Sequence, residues 1–225
     1  MPLALFYHKR SMLTLGLETS EPIGGVSLFE QSSIALVQTM DEPLQHAERV
    51  IPTIQDLLRS ADRTCQAIGL ISVNRGPGSF TGLRIGLAVA KGLGQALNCP
   101  VVGVEGTAMY RSLVADDSRV CVVIGSRRDL YYVRWYARQR PKDAVRLMHR
   151  DEIVGRLREE HRELVVAGSG AVAICEALDD HPWVRIAPDE AIRPSALAVA
   201  RLGHLAYETD QLFELEPVYV EAQLA

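Results

Sequence analysis

Short apolar runs alternate with amphipathic stretches along the chain, in an order that predicts an α/β fold. The run at 68–73 is aliphatic on both faces, which is typical of an interior strand of a sheet. A Gly-Pro-Gly turn at 76–78 ends this run, and a long apolar helix is predicted over 80–97. Ser79 stands where its hydroxyl can cap that helix by accepting a backbone hydrogen bond. This strand, turn and helix predict the centre of the first part of the fold.

The same order of elements occurs twice. Three β-rich runs within 13–40 predict an antiparallel meander, and 44–60 has the apolar spacing of an amphipathic helix. Pro52 lies inside that helix and predicts a kink or a restart, because proline lacks a backbone N–H. After residue 104 a helix, three further β-rich runs, a charged helix and a strand with a glycine turn follow. The repetition predicts an internal duplication into two lobes, each with a mixed sheet flanked by helices.

The two lobes divide the chain into three predicted parts. Residues 1–11 precede a second methionine and are interpreted as a short N-terminal arm or an over-called start. Residues 12–104 are predicted to form the first lobe. Residues 105–225 are predicted to form a second, degenerate lobe, whose C-terminal segment can return to the first.

The predicted helix at 80–97 has one face of small residues. Gly82, Gly86, Ala90 and Gly94 recur every four residues, although a glycine inside a helix costs about 1 kcal/mol relative to alanine. Two interpretations stay open: a second helix of the same chain packs closely on this face, or another protein chain does. In the second case the predicted partner interface comprises these four residues with Leu83, Leu87, Ile54 and Leu57.

Composition and charge narrow the classes of function. The 225 residues are 48% hydrophobic, which allows a full core. The formal net charge of −4 argues against an autonomous nucleic-acid surface, because phosphate contacts need concentrated lysine and arginine. The four cysteines are widely spaced and predict neither a zinc knuckle nor a disulfide framework, as expected in a reducing cytoplasm. No apolar run reaches the roughly 18 residues of a membrane span.

Patterns that carry catalytic chemistry are weak in this sequence. The turn at 76–78 matches neither GxxxxGK[ST] nor GxGxxG, and Ser79 does not stand in a GxSxG elbow. No two of the six histidines have the i, i+4 spacing that places two imidazoles on one helix face. His46 is interpreted as a capping or surface residue. The sequence therefore predicts no metal site and no catalytic residue.

A long segment at 74–104, NRGPGSFTGLRIGLAVAKGLGQALNCPVVGV, resembles the signature of the TsaB (YeaZ) family of bacterial proteins. The resemblance extends more weakly over 12–125, and EPVY at 216–219 is similar to the family's terminal segment. It implies the actin-like ATPase (ASKHA, ribonuclease H-like) fold. It also implies a non-catalytic partner of a TsaD-like enzyme and a TsaE-like ATPase in forming threonylcarbamoyladenosine in tRNA. Contact with tRNA is then expected to be indirect, and the free chain to pair as a homodimer.

Several residues depart from the pattern of related ATPases and enzymes. Glu18 and Gly125 stand where the two phosphate-binding hairpins of such ATPases usually carry aspartate. Gly106 and Tyr110 stand where the related enzyme carries its two metal-binding histidines. These departures favour a protein without a cofactor or activity of its own.

Alternatives to the scaffold interpretation stay open. The turn at Gly168, Ser169 and Gly170 resembles the adenosine-side turn of such ATPases and is a weak cofactor-binding candidate, although it is also typical of a plain turn. A degenerate ATPase, an M22-like peptidase, or a homodimer with another scaffolding task are the alternatives. Arg127 and Arg128 either bind an anion or are solvated. The effect of Glu221, where the family often has a basic residue, stays open.

Overall fold

Two mixed β-sheets organise the chain, in a computed structural model that describes residues 12–31, 33–41, 46–115, 117–208 and 215–220. The first sheet contains β1 (Leu13–Glu18), β2 (Gly24–Glu30), β3 (Ile34–Met40), β4 (Ile68–Asn74) and β5 (Val101–Val104). Its order is β3-β2-β1-β4-β5, with β1 to β3 antiparallel and β4 and β5 joining in parallel. The predicted meander is confirmed, and β4 is an interior strand as its two apolar faces predicted.

The second sheet repeats this arrangement. It contains β6 (Arg119–Gly125), β7 (Leu130–Ala137), β8 (Arg140–Pro141), β9 (Arg146–His149), β10 (Leu164–Ala167) and β11 (Val184–Ile186). Its order is β11-β10-β6-β7-β8, and β9 also pairs with β7. β6 thus occupies the place that β1 has in the first sheet, between an antiparallel and a parallel neighbour. Each lobe therefore has the mixed sheet that the repeated sequence pattern predicted.

Helices cover both faces of each sheet. They are α1 (His46–Ser60), α2 (Phe80–Leu97), α3 (Gly106–Ser112), α4 (Arg150–Arg158), α5 (Ala171–Glu176) and α6 (Ala196–Glu208). α1 and α2 pack on one face of the first sheet, and α6 packs on β1, β2 and β4. In the second sheet, α3 and the start of α6 share a core with one face, while α4 and α5 cover the other. The C-terminal helix therefore belongs to the layers of both lobes.

Polar side chains fix α6 on the first sheet. Ser72 Oγ donates to the carbonyl of Val199 at 2.6 Å, and Ser27 Oγ donates to the carbonyl of Ala196 at 2.8 Å. Both serines are buried, and a buried hydroxyl without a partner would lower the stability of the fold. Each hydrogen bond avoids that cost. Small hydroxyl side chains let the helix approach the sheet closely at these points.

Local signals in the sequence were confirmed at the start of α2 and not at Pro52. Ser79 Oγ accepts a hydrogen bond from Gly82 N at 3.2 Å, so the predicted cap of α2 is confirmed. α1 continues through Pro52, and the predicted restart of that helix does not occur. The arm at 1–11 and Glu221 lie outside the described residues. Among the residues that the structure does describe, no helix has both the length and the apolar character to cross a membrane.

Candidate functional site

The turn between β1 and β2, residues 18–22, buries a carboxylate at the end of the first sheet. Glu18 is fully buried, and its Oε1 accepts hydrogen bonds from Ser20 N at 2.7 Å and from Ser20 Oγ at 2.6 Å. Asn74 Nδ2, at the end of β4, donates to Oε2. Burial raises the pKa of Glu18, while the donors from Ser20 and Asn74 act in the opposite direction. The carboxylate is thus bonded within the chain on both oxygens.

A second buried acid in the same turn joins the two lobes. Glu21 Oε1 accepts a hydrogen bond from Tyr110 Oη of α3 at 2.6 Å. Burial, together with the nearby charge of Glu18, raises the pKa of Glu21 to about 7. Burial and the contact with Glu21 also raise the pKa of Tyr110. Glu21 and Tyr110 therefore form a polar contact across the cleft between the lobes.

The same turn also contacts the N-terminus of α2 through hydrogen bonds. Ser79 N donates to the carbonyl of Ser20 at 2.7 Å, and Thr19 Oγ1 donates to the carbonyl of Gly82 at 2.8 Å. A helix start that follows a glycine-rich loop can bind phosphate through its free N–H groups. Here Ser79 N bonds to the chain's own turn, and Gly82 N bonds to the hydroxyl of the Ser79 cap.

The small face of α2 packs against this chain, and the partner interface predicted there stays a prediction. A Cβ at Gly82 would overlap the carbonyl oxygen of Thr19, and one at Gly86 would overlap Thr19 Oγ1. A Cβ at Gly94 would overlap the side chain of Val101. Glycine is used because the turn and β5 approach the helix closely. All eight residues predicted for the interface are buried in the chain's own interior, namely Gly82, Gly86, Ala90, Gly94, Leu83, Leu87, Ile54 and Leu57.

The glycine turn of the second lobe is likewise bonded internally. Gly168 N donates to the carbonyl of Ala191 at 2.8 Å, and Gly170 N donates to the carbonyl of Val123 at 3.0 Å. Ser169 Oγ accepts from Gly125 N at 3.1 Å, so it links this turn to the β6–β7 hairpin. These bonds explain the Gly-Ser-Gly sequence as turn chemistry. Its assignment as a nucleotide contact has no direct support from the geometry.

Residues 215–220 lie at the mouth of the cleft. Val218 N donates to the carbonyl of Arg75 at 2.7 Å, and the ring of Tyr219 lies 5.5 Å from that of Phe80 at the start of α2. Across the cleft Glu105 pairs with Arg75 at 3.3 Å and with Arg134 of β7 at 2.5 Å. The lobes are therefore held together by ion pairs as well as by the Glu21 contact.

Gly106 and Tyr110, which the resemblance aligned with metal-binding histidines, pack against other residues of this chain. Gly106 begins α3 against the side chain of Asn74, and Tyr110 bonds to Glu21. Within the described ranges, His, Cys, Asp and Glu side chains form no group of three that could hold a metal ion. His46 is buried, with Nε2 2.9 Å from the carbonyl of Glu21, so the predicted surface role is wrong.

Sequence reasoning missed much of this site. It singled out Glu18 but not Glu21, Ser20 or Asn74, which complete the buried network. Two acids within a five-residue turn, followed by a proline, were the available signal. That signal is weak because acidic turn residues are usually exposed.

Comparisons with solved structures define the class. A ROK hexokinase from Thermus thermophilus, 13% identical, matches with a TM-score of 0.51 over 88% of this chain and 100% of its own, which shows the fold alone. YeaZ from Pseudomonas aeruginosa, 28% identical, matches with a TM-score of 0.76 over 93% of this chain and 100% of its own. The chain is thus an α/β protein of the actin-like ATPase fold.

Sequence relatives narrow the class to a family. "tRNA threonylcarbamoyladenosine biosynthesis protein TsaB" of Escherichia coli is 27% identical over 95% of this chain and 96% of its own length. The Bacillus subtilis protein of the same name is 29% identical over 56% of this chain and 55% of its own. Residues 43–147 match the TsaD family, described as tRNA N6-adenosine threonylcarbamoyltransferase. The chain is thus similar over nearly its whole length to proteins of the TsaB (YeaZ) family, in the Gcp-like superfamily.

Proposed function

We propose that this chain takes part in forming threonylcarbamoyladenosine in tRNA, as a non-catalytic scaffold for a TsaD-like enzyme and a TsaE-like ATPase. The names of the relatives support the pathway. The scaffold role rests on the contacts of the turn at 18–22. This turn accepts a hydrogen bond from the backbone N–H of Ser79, the cap of α2, and carries an acid that is itself bonded on both oxygens.

The physical reason is that groups engaged within the chain have to break those contacts before they can act on a ligand. Moving Glu18 toward a ligand would leave the backbone N–H and the hydroxyl of Ser20 without their acceptor in a buried site, at a cost of about 1–3 kcal/mol for each unsatisfied group. The same holds for Gly168 N and Gly170 N in the second lobe. These contacts therefore stabilise the fold, and they support the proposal that the residues of the cleft do not catalyse a reaction.

The partner surface that the structure supports is the outer side of α1 and α2. Ile85, Val89 and Leu93 recur every four residues and are half-buried, and Ile51 of α1 is 39% exposed. These four residues are called the apolar ridge here, and partly exposed apolar side chains on two helices that contact each other are typical of a protein-protein interface. We propose that the TsaD-like enzyme binds this ridge, and that the free chain pairs with a second copy through it in the cytoplasm.

Depletion of the chain in its own cells tests the pathway. Threonylcarbamoyladenosine in digested tRNA, measured by mass spectrometry, is expected to fall on depletion and to return when the gene is restored. Unchanged modification after complete depletion would exclude the proposed pathway.

A pair of variants on α2 tests the scaffold. Val89→Arg places a charge on the ridge and is expected to abolish capture of the TsaD-like enzyme. Gln95→Arg adds the same side chain at an exposed position of the same helix and is expected to bind normally. Melting temperatures of both variants establish that they are folded. Equal binding by the two variants would place the interface elsewhere.

A further inference from the structure

The charge of this chain is unevenly distributed. Between 127 and 150 the sequence has eight arginine or lysine residues and two acidic ones, a net charge of +6. Because the whole chain has a formal net charge of −4, the remainder carries −10. The net charge that predicted only indirect contact with tRNA therefore conceals a strongly basic segment.

Most of these cations form no ion pair with the part of the chain that the structure describes. Arg134 pairs with Glu105 and Arg150 pairs with Asp129, while Asp143 accepts from the backbone of Trp135. The other six cations are exposed and form no ion pair with any residue that the structure describes; they are Arg127, Arg128, Arg138, Arg140, Lys142 and Arg146. Both acids of the segment are thus already engaged, and the excess positive charge faces solvent.

Strand register places these cations along one edge of the second sheet. Arg127 and Arg128 lie in the turn before β7, and Arg146 of β9 is opposite Val133 in the middle of β7. Lys142 N bonds to the carbonyl of Trp135, and Arg140 is opposite Ala137 at the far end. The eight residues of β7 span about 25 Å at roughly 3.3 Å per residue. The six residues form a basic strip along this edge.

We propose that the basic strip binds the phosphate backbone of RNA. Five of its six side chains are arginines, whose planar guanidinium group matches the geometry of phosphate better than lysine does. A row of cations about 25 Å long can lie beside several successive phosphates of a nucleic acid. Charged residues on an edge strand also prevent that strand from pairing with a second sheet. The same side chains can do this and bind phosphate. The identity of the RNA as tRNA rests on the proposed function.

Purified full-length chain and an unmodified tRNA transcript provide the test. Binding is measured by fluorescence anisotropy over a series of salt concentrations. The variant Arg140→Glu/Lys142→Glu/Arg146→Glu is expected to bind at least tenfold more weakly than wild type. The slope of log affinity against log salt is expected to decrease by about 2, at about 0.7–0.9 for each phosphate contact.

A matched control separates the strip from overall charge. Arg63→Glu/Arg193→Glu/Arg201→Glu makes the same change in charge at exposed positions outside the strip and is expected to bind within threefold of wild type. Equal weakening by both triple variants, or unchanged binding by the strip variant, would overturn the proposal. If the strip variant has a lower melting temperature than wild type, the variant Arg140→Gln/Lys142→Gln/Arg146→Gln replaces it. That variant is also expected to bind tRNA more weakly than wild type.

Two further outcomes exclude an acidic protein as the occupant. Polyglutamate at equal charge concentration is expected not to displace the tRNA, and displacement would overturn the assignment to RNA. Retained tRNA binding with loss of TsaD-like enzyme capture would make the strip a protein-docking surface and also overturn it. RNA binding is measured on the isolated chain, whereas the pathway is tested by depletion in cells. The proposal of RNA binding and the proposed function can therefore fail independently of each other.

Discussion

The hairpin turns of the two lobes have equivalent places in their sheets but opposite environments. The turn at 18–22 follows β1, and Glu18, Thr19, Ser20 and Glu21 in it are all buried. The turn at 125–129 follows β6 in the same topological position, and each of its residues is exposed. One topology thus supports a closed structural turn in the first lobe and an open, basic turn in the second. The difference shows that turns with equivalent places in the topology have different environments in the two lobes.

The largest expected effect is the pH dependence that Glu21 gives to the closed turn. Its pKa is about 7 in the folded chain, above its ordinary value of 4.5, so the folded state holds a proton that the unfolded state releases. The contribution to stability is full below pH 4.5 and is lost as pH rises toward 7, by about 3 kcal/mol.

Urea unfolding of wild type and Glu21→Gln at several pH values checks this sign. The free energy of unfolding of wild type is expected to fall relative to Glu21→Gln between pH 5 and 7.5. Glutamine has no proton to release and can still accept from Tyr110. A constant difference between the two proteins would show that Glu21 does not titrate in this range.

A smaller effect is expected where the closed turn contacts α2. Gly82→Ala forces a Cβ into the carbonyl of Thr19 and is expected to lower the free energy of unfolding by about 2 kcal/mol. Gly92→Ala, on the same helix with nothing within 4 Å, is expected to raise it by about 0.5–1 kcal/mol through helix propensity. Urea unfolding is expected to show changes of opposite sign in the free energy of unfolding of the two variants. A stabilising Gly82→Ala would contradict the close packing of the turn.

The next smaller effect is expected at the hydrogen bond between Tyr110 and Glu21, which joins the two lobes. Tyr110→Phe removes the donor to Glu21 and is expected to lower the free energy of unfolding by about 1–1.5 kcal/mol, because a buried acceptor loses a partner. Tyr132→Phe, at a half-buried position of β7, provides a control for loss of a tyrosine hydroxyl. Thermal melting of both variants is the measurement. Equal melting temperatures would mean that the Glu21 contact adds no stability.

The smallest effect is expected in the open turn. Arg128 has a positive φ of 51° and an exposed side chain, so Arg128→Gly relieves a conformation that glycine adopts freely. Because glycine also increases the entropy of the unfolded chain, the net change is expected to stay within about 0.5 kcal/mol. Chemical unfolding tests this. A loss of more than about 1 kcal/mol would show that the second turn is as constrained as the first.

The sequence by itself determined the features that depend on near neighbours along the chain. Alternating and helical apolar periods predicted the meander β1–β3, the interior strand β4 and the helices α1 and α2. The Ser79 cap was predictable because donor and acceptor are three residues apart. The repeated order of elements predicted two lobes, and the long signature at 74–104 indicated the family.

Only the tertiary structure decided which surfaces are closed. A stripe of glycine and alanine fits any close neighbour equally well, and the neighbour here is Thr19, 63 residues before Gly82. Glu21 and Tyr110 are 89 residues apart, and no local pattern relates them. Burial of both acids follows from how the turn packs under α2 and α3, so its effect on the pKa of Glu21 could not be read from the turn alone. Charges that cancel in the total sequence became a basic strip because the pairing of β7 with β8 and β9 brings them to one edge.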